Sequence, residues 1–165
     1  MKTKRTQSTK KRPQMSLIEY LHKRVSIPNP HGGTLYIYLC NITHISIDDK
    51  KLYIHSLTDE PIYINILISK LYDTFPEPFF DNCHEAHIVN VNHVLGHTPG
   101  DGGILKVKDR CEFGYIEIPV SRNNKDSTKT AIDADTLNIA KIKDAYEKKT
   151  FAVKTKVQNK KNNKQ

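Results

Sequence analysis

From Thr34 onward the chain alternates apolar and polar residues with a period of two, in short bursts and not in one long run. TLYIYLC (34–40) sets Leu35, Ile37 and Leu39 against Tyr36 and Tyr38. ITHISI (42–47), KLYIHSL (51–57) and EPIYINI (60–66) follow, divided by the turn-forming IDDK and TDE segments. Successive side chains of an extended strand point to opposite faces, so this pattern describes half-buried strands. The spacing between bursts leaves no room for the crossover helices of a parallel sheet, which predicts a mainly β fold. AHIVNVNHV (86–94) reads as a further strand, GHTPGDGG (96–103) as a loop, and ILKVKD with FGYIEIPVS (104–121) as a closing hairpin.

Three segments depart from that period. Ser16 and Glu19 form a capping-box pattern ahead of Leu17, Ile18 and Leu21, which predicts a helix over 16–25 ended by Pro28 and Pro30. Met15 and Tyr20 are placed as a hydrophobic staple for it. ILISKL (66–71) fits two helical turns before Pro76. After Arg122 a polar linker is expected, then a helix over 135–149 with its acids first and its lysines last. The organisation read from this is a basic tail (1–14), a short helix and linker (15–33), the β domain (34–123), a linker with the C-terminal helix (124–153) and a Lys-rich tail (154–165).

The formal charge of +8 belongs to the ends. Residues 1–14 carry +6 and 154–165 carry +5, whereas 26–124 hold seven basic and twelve acidic groups. Basic tails attract any polyanion without reading it, and they equally serve solubility. No apolar run approaches the roughly 18 residues of a membrane helix, and the basic start leads into no apolar stretch of a secretory signal. A cytoplasmic location is expected. Cys40, Cys83 and Cys111 do not form a disulfide framework and read as small core or half-buried thiols. Cys83, His84, His87, His93 and His97 are atoms that zinc or copper accepts. In a single strand, however, His84 and His87 would point to opposite faces, so no metal site is expected. A phosphate-binding loop, a nucleophile elbow and a Cys-x-x-Cys pair are all missing from the sequence. Neither an enzyme nor a cofactor is expected.

The stretch FFDNCHEAHIVNVNHV (79–94), followed by IPVSR (118–122), resembles the signature of the LytTR DNA-binding domain family. In that family a phenylalanine pair leads into an Arg-x-His-Arg-Ser-like stretch, and a Val-Ser-Arg-like motif closes the domain. GDGG (100–103) is similar to the turn between the two motifs, NITHISI (41–47) to an upstream strand and ILISKL to a short helix. The likeness covers about residues 34–123. It implies about ten strands in an elongated stack of antiparallel sheets with one short internal helix, to which the residue pattern adds flanking N- and C-terminal helices. It also implies sequence-specific reading of duplex DNA by loop side chains in successive major grooves.

Carried over by position, the resemblance makes Arg122 a base-reading group, because a guanidinium can take guanine O6 and N7 together. His84 becomes a donor to phosphate or base, and Lys50 and Lys51 fall near another contact position. Asn82 and Glu85 occupy contact positions at which the family has mostly basic residues, and Ala86 replaces a usual serine. Asn90 matches a position that satisfies backbone groups. The expected partner is therefore double-stranded DNA, with a dimer partner or an upstream signalling protein as further candidates. The residues before Thr34 are too few for a receiver domain, so the leading reading is a stand-alone LytTR-like transcription regulator. The alternative is a protein-interaction module on the same fold, with DNA binding weakened or carried non-specifically by the tails.

Overall fold

A computed structural model describes residues 11–29, 31–111 and 114–135. Its elements are α1 (Leu17–His22), β1 (Arg24–Pro28), β2 (Thr34–Tyr38), β3 (Ile42–Asp48), β4 (Lys51–Ser56), β5 (Ile62–Ile64), α2 (Ile68–Thr74), β6 (Phe80–His84), β7 (His87–Asn90), β8 (Val94–Thr98), β9 (Ile104–Lys108), β10 (Tyr115–Pro119) and α3 (Lys125–Asp135). The fold is mainly β, and every strand pairing is antiparallel.

The two-residue period is realised in a five-stranded middle sheet, ordered β5-β4-β3-β7-β6, between a β1–β2 ribbon and a β10-β9-β8 sheet. Ile45, Ile54 and Ile88 lie side by side across three strands and join Tyr20, Ile37, Phe75, Phe79 and Phe80 in one core. Val89, one residue on from Ile88, faces the other way with Cys83, into a second core of Leu105, Val107, Ile118 and Val120. The middle sheet thus buries apolar residues on both faces, so β3 and β7 lose the clean alternation of a strand with one wet face.

The helix expected over 16–25 is shorter. The capping box is present, with Ser16 N donating to Glu19 Oε2 at 2.9 Å and Glu19 N to Ser16 Oγ at 3.3 Å. The helix ends at His22, because Val25 and Ile27 prefer the pleat and pair with Ile37 and Leu35 of β2. AHIVNVNHV is also not one strand. Fully buried Asn90 donates from Nδ2 to Ile42 O and to Tyr20 Oη, both at 2.7 Å, and accepts from Asn92 N at 3.3 Å. Those bonds hold a 3-10 turn at Val91–His93 that sends β7 into the middle sheet and β8 into the next. Asn90 is structural, as its position implied.

The expected linker after Arg122 is instead α3. Thr128 Oγ1 donates to Asp81 Oδ2 at 2.6 Å, Asn124 Nδ2 donates to Asn82 O at 2.6 Å, and Ile132 packs on the second core. Apart from Ala131 and Ala134, that one apolar residue gives the helix almost no sequence period. The helix expected over 135–149 lies outside the described residues, apart from Asp135, which ends α3.

Arg12, counted among the tail charges, is only 8% exposed. Its guanidinium donates to Phe75 O (3.1 Å), Phe80 O (2.7 Å) and Tyr72 Oη (2.8 Å), and sits 3.5 Å from Glu77. Gln14 and Met15 continue the attachment through Glu77. The basic stretch 1–14 is therefore anchored at its C-terminal end. Arg12→Met is expected to lower stability by about 2–4 kcal/mol, since it strips donors from buried carbonyls. Urea unfolding at neutral pH measures it, and a loss below about 0.5 kcal/mol would contradict the anchoring.

Candidate nucleic-acid interface

Three turns meet at one end of the middle sheet. The β3–β4 turn holds Asp49 at φ 46° and Lys50 at φ 63°, the left-handed pair of a tight hairpin. Keeping a lysine in that region costs about 1 kcal/mol relative to glycine. The β6–β7 turn is Glu85–Ala86, between the paired residues His84 and His87. Ile47 N donates to Ala86 O at 2.9 Å, which puts the two turns at the same end of neighbouring strands. The third turn is the stretch after β10: Ser121 N donates to Cys83 O at 2.9 Å, laying Arg122 beside the outer edge of β6. The motifs at 79–94 and 118–122, remote in sequence, therefore join at β6. Arg122, His84, Asn82, Glu85, Lys50 and Lys51 are brought to one rim.

The rim is not uniformly cationic. Arg122 is 76% exposed and pairs with Asp101 at 2.5 Å. Lys125 Nζ donates to Gly100 O at 3.2 Å in the same loop. Gly102 shapes that loop: its φ is +118°, and a Cβ there would collide with the Val120 carbonyl oxygen. Asp48, Asp49, Glu85 and Asp101 offset Lys50, Lys51, Arg122 and Lys125. The Arg122–Asp101 pair is open to water, so its strength is about 0–1 kcal/mol, and either partner can exchange it for another ion. Asp101 and Lys125 were not among the residues singled out from sequence, because only the fold of the glycine loop brings them to Arg122.

His84 and His87 do not point apart. The turn makes them cross-strand partners, with ring centroids 5.6 Å apart. His84 Nδ1 accepts from Ala86 N at 3.2 Å, which fixes the Nε2–H tautomer. Behind the rim, His44 and His55 stack at 4.0 Å on the same face of the middle sheet. Burial, and then His55 and His87, push His44 down to about 2. Burial likewise lowers His55 (Asp109 opposes this) and, with His84 and His55, lowers His87. No cluster of three or more His, Cys, Asp or Glu side chains arranged to hold a metal occurs among the described residues. Cys83 is buried, and desolvation pushes its thiol up to about 12, leaving it inert; Cys40 is half-buried, and Cys111 is exposed instead of packed.

A family model described as the LytTr DNA-binding domain matches residues 32–133. No curated protein matches the chain. Among solved structures, one described as the LytTr DNA-binding domain of a methyl-accepting/DNA response regulator from Bacillus cereus is similar, at 19% identity and a TM-score of 0.56. That likeness covers 66% of this chain and 95% of the other, and it shows the fold. The match begins after β1 and takes in nearly all of α3, whereas the likeness read from sequence covers about 34–123.

Proposed function

Because the chain belongs to the LytTR DNA-binding domain family, we propose that it is a cytoplasmic transcription regulator reading duplex DNA through the rim built by its three turns. In this reading Arg122 takes a guanine edge in one major groove. His84 and the Lys50–Lys51 turn contact the adjoining backbone, and Asn82 and Glu85 face the same groove. Glu85 is compatible with DNA where its carboxylate accepts from a cytosine amino group. The observation that carries the reading is the docking of Ser121–Arg122 on Cys83 of β6, which unites the two motifs at one edge. The basic ends add non-specific attraction that the acidic folded part lacks. The reading is tested by titrating a panel of genomic fragments at moderate salt: one or a few fragments are expected to bind preferentially, and equal affinity for all would overturn it.

The Arg122–Asp101 pair favours a second reading, a protein-interaction module whose rim has lost its hold on DNA. The variant Asp101→Asn separates the two. If the rim meets DNA, removing that carboxylate is expected to raise affinity about 3–10-fold at low salt, with the gain shrinking as salt rises. An unchanged affinity favours the interaction module.

A further inference from the structure

A groove of about 560 Å³ runs between β1 and α2, on the side of the molecule covered by the ribbon. One wall is the whole of β1 with Lys23, and the facing wall includes Ile66, Leu71 and Phe75. Among the described residues β1 pairs with β2 alone, and no strand of theirs lies on its other edge. The phase of the ladder is set by Leu39 N donating to Lys23 O at 2.9 Å and by Asn29 N donating to Gly33 O at 3.1 Å. Odd-numbered residues of β1 therefore bond to β2, and Arg24 and Ser26 turn their N–H and C=O groups outward. An open strand edge above an apolar floor and opposite a helix is the arrangement in which peptides add as an extra strand.

Among the described residues the charges lining the groove are Lys23 and Arg24, both at the start of β1, with no acidic residue beside them. A guest running antiparallel to β1 would end its chain beside those two cations. We propose that this edge is a docking site for an extended segment of a partner protein, with apolar residues at alternate positions and acidic residues at its C-terminal end. Backbone bonds to Arg24 and Ser26 hold the guest, its apolar side chains share the face of Val25 and Ile27, and its acids meet Lys23 and Arg24. β1 lies before the matched residues 32–133 while the facing wall lies within them, and the groove shares no residue with the rim.

The test uses the full chain and the acetylated, amidated heptapeptide TVTVTDE. Saturable binding is expected, with the amides of Arg24 and Ser26 becoming protected from hydrogen exchange. Ser26→Pro removes one outward N–H without touching the ladder to β2, and is expected to weaken binding at least tenfold. Ile66→Glu, an exposed change on the facing wall, is expected to do the same while leaving β1 intact. A peptide ending in two lysines is expected not to bind. Absence of binding, or binding indifferent to both variants, would overturn the proposal. So would self-association of the free chain that Ser26→Pro abolishes, since a second copy would then be the occupant. Protection of those amides in the free monomer would overturn it too, the edge then being covered by the chain itself.

Discussion

Lowering the pH from 7 to 5 is expected to remove roughly 2 kcal/mol of folding stability through His44 alone. In the unfolded chain this imidazole takes up a proton near pH 6.5, whereas in the folded protein burial holds it neutral down to about 2. Stability therefore falls as the pH drops below 6.5, because the unfolded state binds the proton that the folded state refuses. His55 and His87, whose values are also depressed by burial, add to the loss with the same sign. Asp81 opposes it: burial raises its carboxyl, so the folded state gains protons above the ordinary carboxylate range. The Thr43 hydroxyl lies 3.0 Å from His44 Nδ1, and Ser46 bonds the stacked His55 at 2.8 Å. The variant His44→Phe keeps a ring on the His55 stack and cannot be protonated. Denaturant unfolding at pH 7, 6 and 5 is expected to show a shallower fall for the variant, by nearly one proton. Equal slopes would mean that His44 does not resist protonation in the fold.

The second large effect belongs to Arg122. Arg122→Ala is expected to weaken the preferred DNA site by about 1–3 kcal/mol, roughly 5–150-fold, while leaving random duplex nearly unaffected. Its side chain is mostly exposed and, among the described residues, is paired with the equally open Asp101, so the fold should lose less than about 1 kcal/mol. Fluorescence anisotropy on both duplexes separates the outcomes. A uniform loss would make Arg122 a phosphate contact, and no loss would remove it from the interface. Truncations meant to isolate the rim from the basic ends should stop before Arg12, since its guanidinium belongs to the folded part.

Much of this architecture was legible in the residues. Alternation marked β2 to β5, β7, β9 and β10, and the Ser16–Glu19 box marked the start of α1, whereas β6 carried no alternation of its own and most of β8 read as the glycine loop. What escaped has identifiable physical causes. β1 follows α1 with only Lys23 between them, so the helix read from sequence runs on to Val25, which β2 instead draws into a strand. Ile132 and the polar bonds of Thr128 and Asn124 hold α3, which leaves too faint an apolar period to read. A spacing of three sets His84 and His87 on opposite faces of a single strand, and the turn between them reverses that geometry. Arg12 and Asp101 acquire their roles only through contacts with residues far along the chain, and charge counted by segment is blind to those.

The account rests on the rim formed by the turns at Asp49–Lys50, Glu85–Ala86 and Ser121–Arg122. The most direct measurement is to follow backbone amide resonances while titrating the preferred duplex into the full chain. Shifts are expected to concentrate in those three turns, with the open edge of β1 unmoved. Shifts confined to the basic ends, with the three turns silent, would contradict it.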